Sequence, residues 1–114
     1  AQRFYESFGH NGQALAHKYY PTHLWHNREK VVLDGNDLAH KAQYSHDLIQ
    51  RRALDFIRQN GDRKFFAFLA YTLPHAELLV PEDEILQSYR GRFEERPYVA
   101  KNGEYSSEGK HPTH

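Results

Sequence analysis

The stretch FFAFLAYTLPHAELLVP, residues 65–81, sets the main expectation for the fold. Its first seven residues, 65–71, are almost wholly apolar and show no polar alternation. Such a run is typical of a strand buried on both faces, inside a parallel or mixed sheet covered by helices. His75 follows just past the end of this predicted strand, behind Pro74, and open α/β sheets bind ligands beyond the carboxyl ends of their strands. By position alone, a functional role and a capping or packing role explain His75 equally well.

The clearest predicted helix precedes this strand and covers residues 45–60, SHDLIQRRALDFIRQN. Ser45 is a candidate N-cap, and Asp47 places negative charge in the first turn. The pair Asn60-Gly61 is a signal for the end of the helix. Apolar residues recur at helical spacing and predict one buried face; they are Ile49, Ala53, Phe56 and Ile57.

A short hairpin is predicted over residues 22–33, THLWHNREKVVL, with a turn at 26–28 where an asparagine tolerates the left-handed conformation. Residues 1–20 are aromatic-rich and broken by glycine and asparagine, which predicts loop with a turn or two of helix.

The chain after the apolar stretch is more polar. A short helix is predicted over about 81–89, with Pro81 at its first position and acidic residues in its first turn. Residues 99–114 contain glycine, serine and charged residues, so we expect loop or disorder there.

Bulk composition limits the classes of protein that this chain can represent. Its 114 residues suit one domain, and 15 basic residues balance 15 acidic ones, so charge gives no case for binding nucleic acid or an anionic membrane. No apolar run approaches the length of a membrane span. The absence of cysteine excludes disulfides and a cysteine nucleophile within the chain. The absence of methionine favours a processed product or an internal piece of a longer protein.

Nine histidines raise the question of a metal site, but their spacing argues against one. His23 and His26 fall in a predicted strand and turn, and no cysteine supports His40 and His46 as ligands. No His-Glu-x-x-His motif occurs. The quartet DGND, residues 34–37, lacks the remaining ligand spacing of a calcium loop and is better explained by turn chemistry. We therefore predict no metal site in this chain.

The sequence resembles one family along most of its length. FFAFLAYTLPHAELLVPED is similar to the central segment of the sulfatases, arylsulfatase-type hydrolases of the alkaline-phosphatase-like superfamily, which carry FFLYLAYTxPH followed by VPE. AHKYYPTHLWHNREKVVLDGN resembles their hairpin YYPTxLWxNGEKVPLPGN, and YSHDLIQRRALDFIRQN resembles a Tyr-x-x-Asp helix that ends in ALDFI. RFYESFGHNGQALAH is similar to an F-D-Y-F-x-G region before the hairpin. The match covers roughly residues 3–98, with departures at Arg28, Val32 and Ala67, where the family has glycine, proline and a larger residue.

The resemblance implies a parent protein with a mixed sheet sandwiched by helices, of which residues 1–114 are a single incomplete segment. The parent would hydrolyse aryl or carbohydrate sulfate esters, use calcium, and carry a formylglycine made from a cysteine or serine in a Cys/Ser-x-Pro-x-Arg motif. That motif and the carboxylate pairs that hold the metal have no counterpart here. The parent would be periplasmic or secreted, as bacterial relatives commonly are. We expect the chain alone to be inactive and prone to self-association.

Only His75 carries over from the family's active site, where the matching histidine contacts the sulfate and the leaving-group oxygen. A histidine suits this chemistry because it can stabilise or protonate the oxygen that becomes negative. Gln13, His17 and Trp25 are further candidates for the substrate side, although no motif assigns them a role. Trp25 could face a sugar ring or pack within the hairpin, and the sequence leaves both open. Two other functions also stay open: a related phosphatase or phosphodiesterase, and a non-enzymatic interaction module that presents Trp25 and the tyrosines.

Overall fold

The computed structural model describes residues 4–37, 39–75, 77 and 79–94. The chain divides into two compact units, residues 1–75 and 76–114. The described elements are β1 (Phe8–Gly9), α1 (Gln13–Ala16), β2 (His23–His26), β3 (Glu29–Val32) and α2 (Ser45–Asn60) in the first unit and α3 (Glu84–Tyr89) in the second. The protein is therefore mixed α/β, as predicted in outline. The loop predicted over 99–114 lies outside the described residues.

The described strands form an antiparallel sheet in the order β1-β2-β3. The predicted hairpin is confirmed, because β2 pairs with β3 from His23 opposite Val32 to His26 opposite Glu29. Asn27 has a φ of 56°, and it is the one non-glycine residue with a positive φ in the described part of the chain. A turn with one left-handed residue needs no glycine at the next position, so it accommodates Arg28.

The first twenty residues contain more structure than predicted. One helical turn, α1, is present as expected. The two-residue strand β1 was not predicted; Phe8 pairs with His26 and Gly9 with Trp25. A strand this short has no detectable alternation, and only its partner on β2 defines it.

The core of the first unit is small and lies around the hairpin. Leu24 is fully buried on β2, and Leu33 immediately follows β3. Tyr19 and Pro21 come from the residues that lead into the hairpin, and Tyr44 comes from the residue before α2. The core is thus built largely from loop residues that close over one face of the hairpin.

Helix α2 has the predicted bounds, Ser45–Asn60, but a different N-cap. Its N-cap is Tyr44 and not Ser45, and no side chain caps it. Ser45 is buried, and its N–H donates to the carbonyl of Tyr19 at 2.9 Å. A backbone carbonyl therefore takes the place of the predicted hydroxyl cap. Asp47 lies in the first turn, as expected.

The predicted apolar face of α2 is only partly covered. Ile49, Ala53 and Phe56 are half-buried, while Ile57 is exposed. The helix lies against β1, which is two residues long. So short a strand cannot cover a four-turn helix.

The prediction of a buried strand over 65–71 is wrong. The segment makes no backbone ladder within the described residues, and Phe66 and Phe68 are 72% and 71% exposed. It runs back along α2 instead, where the ring of Phe65 lies 5.6 Å from Phe56. A strand needs an extended neighbour to pair with its backbone, and a helix supplies side chains only.

Helix α3 begins later than predicted, at Glu84 and not at Pro81. Asp83 is extended and caps the helix, because its Oδ1 accepts the N–H of Leu86 at 2.9 Å. An aspartate cap fixes the start more strongly than a proline two residues earlier. Across the described ranges, no helix has the length and apolar character needed to cross a membrane.

Candidate functional site

His75 lies at the end of a tight turn that follows the apolar segment. Its N–H donates to the carbonyl of Thr72 at 2.9 Å, and the peptide bond between Leu73 and Pro74 is cis. The backbone carbonyl of His75 accepts a hydrogen bond from the hydroxyl of Tyr19 at 2.6 Å. Its side chain is half-buried. Hydrogen bonds therefore restrain both the N–H and the carbonyl group of His75.

The structure brings together two of the predicted site residues, His17 and His75. Their ring centroids are 4.5 Å apart and their planes are inclined by 46°. His17 is the C-cap residue of α1 and is half-buried. Two imidazoles this close form one site with up to four ring nitrogens for donating or accepting protons.

Tyr19, which contacts the His75 carbonyl, belongs to a group of packed aromatic side chains. Tyr44 is 6.0 Å from Tyr19 and 5.3 Å from Tyr20 between ring centroids. At the start of α2, the ring of His46 lies 4.9 Å from Tyr71. Neither Tyr19 nor His46 was predicted to be a catalytic or substrate-binding residue. In the sequence, only its place in the YYPT motif, two residues after His17, pointed to Tyr19 as part of this site.

Trp25 lies elsewhere. It sits on β2 between Gly9 and Lys30, with the ring of His23 at 6.0 Å. It lines an open groove of about 720 Å³, whose other walls include β1, α2 and much of the segment 65–72. The lining of this groove includes neither His17 nor His75. The structure thus does not join Trp25 to the histidine pair.

Gln13, the remaining candidate, is the first residue of α1 and is exposed. Among the described residues, no hydrogen bond connects it to the histidine pair. Gln13 therefore lies on the same short helix as the His17 cap without contributing to the site.

A charged cluster connects α2 to the hairpin at one end of the groove. Arg52 donates from Nε to Oε1 of Glu6 at 2.7 Å, and its Nη2 lies 3.0 Å from Nε2 of His26. The same oxygen of Glu6 is 3.1 Å from His26 Nε2. All three side chains are partly exposed. The cluster therefore links α2 to the residues just before β1 and at the end of β2.

His10 is another residue of the groove that sequence analysis missed. Both of its ring nitrogens are buried and have no hydrogen-bond partner within the described residues. Burial, and to a lesser extent the charge of His23, lowers the pKa of His10. Both causes favour the neutral ring, because a buried imidazolium without a partner is costly.

The quartet DGND is a turn, as predicted. Oδ1 of Asp37 accepts the backbone N–H groups of Ala39 and His40, both at 2.7 Å, and lies 3.0 Å from Nδ1 of His40. The hydrogen bond from the His40 side chain, followed by the two backbone bonds, lowers the pKa of Asp37. In the described part of the chain, no group of three His, Cys, Asp or Glu residues could hold a metal ion.

Comparison of the sequence with models of known protein families finds no family that matches it. Comparison with curated proteins finds no matching relative. The sequence motifs and the geometry around His75 are therefore the basis for assigning a function.

Proposed function

We propose that this chain is the central segment of a sulfatase catalytic domain with an alkaline-phosphatase-like fold, and that His75 contacts the sulfate and the leaving-group oxygen. The proposal depends on two observations about His75, its position in the sequence and its contact with His17. It ends the apolar segment, in the Thr-Leu-Pro-His motif where the resemblance expects a sulfate-binding histidine. Its ring lies against a second imidazole, that of His17.

The chemistry gives a reason for this arrangement. Cleavage of a sulfate ester leaves negative charge on the bridging oxygen. A ring N–H of His75 can donate to that oxygen, or pass a proton to it as the S–O bond breaks. The half-buried position excludes part of the solvent and strengthens such a hydrogen bond.

The resemblance also implies calcium and a formylglycine, and the residues of this chain do not fit either group. The described residues supply no cluster of metal ligands, and the sequence contains no Cys/Ser-x-Pro-x-Arg motif. The proposal assigns both groups to the rest of the catalytic domain of an exported parent. The role proposed for His75 depends only on its own ring and the bridging oxygen.

The exposed apolar segment fits the same proposal. The segment 65–71 exposes Phe66, Phe68 and other large apolar side chains, and its backbone has no ladder partner within the described residues. In a larger α/β domain, neighbouring strands and helices would cover such a segment.

The test uses the parent polypeptide, which joins this segment to a Cys/Ser-x-Pro-x-Arg motif. We expect hydrolysis of 4-nitrophenyl sulfate, and a fall in kcat of about 10²-fold in His75→Ala, the scale typical of a general acid or an oxyanion donor. His40→Ala is the matched control, because its side chain is 75% exposed and contacts Asp37. The 114-residue chain alone should give no turnover.

Three results would contradict the proposal. Turnover of 4-nitrophenyl phosphate without turnover of the sulfate would favour the phosphatase alternative. An unchanged rate in His75→Ala would leave His75 a purely structural role. A parent reading frame without the nucleophile motif would remove the sulfatase assignment altogether.

A further inference from the structure

We infer that His17 and Tyr19 form a clamp that sets the orientation of His75, with His17 as a positioning residue for the proposed reaction. The kinetic part of this inference rests on the proposed function, whereas its structural part does not. The clamp consists of one backbone restraint, from Tyr19, and one ring restraint, from His17.

The backbone restraint comes from a well-anchored tyrosine. Tyr19 is 2% exposed, and its hydroxyl donates to the carbonyl of His75 at 2.6 Å. The carbonyl of Tyr19 in turn accepts the N–H of Ser45 at the start of α2. Tyr19 therefore fixes the His75 backbone relative to the longest helix of the unit.

The ring restraint comes from the imidazole of His17. A ring contact at 4.5 Å is close to van der Waals packing, so rotation of the His75 side chain about χ1 would break it. His17 is itself held at the C-terminal end of α1. The contact thus favours one of the three staggered rotamers of His75.

A clamp is needed here because the usual support for such a residue is missing. A functional residue at a strand end is normally held by the sheet before it. The segment 65–71, just before His75, has no ladder hydrogen bonds within the described residues. The 72–75 turn and the clamp supply the restraint that a sheet would otherwise give. Misplacement by about 1 Å can cost 10²-fold in rate, so this restraint matters for catalysis.

The structural arm of the test uses NMR on the complete 114-residue chain with labelled histidine. In the wild type we expect cross-relaxation between ring protons of His17 and His75, and χ1 couplings that report one His75 rotamer. His17→Ala should give averaged couplings, and His17→Phe, which keeps a ring at the contact, should restore one rotamer. Tyr19→Phe should shift the His75 carbonyl resonance, and His40→Ala should change none of these signals.

Two results would overturn the clamp, given hairpin and α2 amide shifts that show an intact fold. One is a single His75 rotamer that persists in His17→Ala. The other is rotamer averaging in His17→Phe, which would show that ring packing is not the restraint. If His17→Ala does not fold, His17→Phe still tests the ring restraint. An unchanged His75 carbonyl resonance in Tyr19→Phe would overturn the backbone restraint.

The kinetic arm uses the parent polypeptide and 4-nitrophenyl sulfate. His17→Ala should lower kcat by about 10- to 100-fold with KM within about twofold of wild type, and His17→Phe should recover most of the loss. A rise in KM at unchanged kcat would make His17 a substrate-binding residue and overturn the positioning role. If the wild-type polypeptide hydrolyses no sulfate ester, the proposed function fails, while the NMR arm still decides the clamp.

Discussion

Replacing Asn36 by alanine should destabilise the protein strongly, because this one side chain organises the loop between β3 and α2. Its Nδ2 donates to the carbonyls of Pro21 and Gln43, at 2.9 and 2.7 Å. Its Oδ1 accepts the N–H groups of Ala42 and Gln43, at 2.9 and 2.7 Å. The side chain is 7% exposed. The amide thus uses its full capacity, two donated and two accepted hydrogen bonds.

The magnitude follows from those four bonds. Each contributes roughly 0.5–1.5 kcal/mol net, so the four together are worth about 2–6 kcal/mol. Three of them are only partly buried, and water can replace part of what alanine removes. We therefore expect Asn36→Ala to lower the free energy of unfolding by about 2–4 kcal/mol, a large share of the 5–15 kcal/mol typical of whole domains.

Asn36→Asp is the matched variant. It keeps the shape of the side chain and the oxygen that accepts two hydrogen bonds, but it loses the Nδ2 group that donates two. At neutral pH it places a carboxylate oxygen against the carbonyls of Pro21 and Gln43, so we expect a loss at least as large as that of alanine. At acidic pH the protonated carboxyl can again donate to one carbonyl. The gap in stability between this variant and the wild type should therefore narrow as pH falls and widen as pH rises.

The assay is urea unfolding followed by the fluorescence of Trp25, the single tryptophan of the chain, with far-ultraviolet circular dichroism as a second probe. Unfolding curves at neutral and acidic pH give the free energy for each variant. An Asn36→Ala protein within about 0.5 kcal/mol of wild type, the range of ordinary surface substitutions, would refute the reasoning. So would an Asn36→Asp deficit that does not depend on pH.

Three further predictions concern other parts of the chain. Gly35→Ala should cost about 1–3 kcal/mol in unfolding experiments, because Gly35 has a φ of 81° and an added Cβ would lie 2.8 Å from Cβ of Ala42; unchanged stability would contradict this. Burial lowers the pKa of His10 below 6.5, so between the lowered pKa and 6.5 the unfolded chain binds more protons than the folded protein. The free energy of unfolding should therefore fall on acidification through that window. His10→Phe should reduce this fall, and an equal pH dependence of stability in the variant and the wild type would count against the prediction. Replacing both Phe66 and Phe68 by serine should reduce the self-association measured by light scattering, because both side chains are more than two-thirds exposed; an unchanged mass distribution would exclude this segment as the contact.

Ile85→Ser is the control for the association experiment. Ile85 is 70% exposed, about as much as Phe66 and Phe68, but lies on α3 in the second unit. If this change reduced association equally, the effect would come from general surface polarity. A wild-type chain that is monomeric at every concentration tested would contradict the association prediction itself.

Local signals in the sequence were sufficient for the hairpin and for α2. Asn27 takes the left-handed conformation that its place between two short strands predicted. The helical repeat of apolar residues and the Asn60-Gly61 pair predicted the bounds of α2. The quartet DGND forms a turn, as predicted, and the N–H of Asn36 donates to the carbonyl of Leu33 at 3.0 Å. Each of these features depends on atoms within a few residues of one another, so nearby sequence determines it.

The tertiary structure alone decided how the segment 65–71 and its terminal histidine are arranged. An apolar run shows that burial would be favourable, but a strand also needs an extended partner, and that partner is remote in sequence or absent. The meeting of His17 with His75 and the hydrogen bond from Tyr19 likewise join residues far apart along the chain. The sequence by itself determined which residue types were available at this site; the three-dimensional path of the chain determined which of them touch.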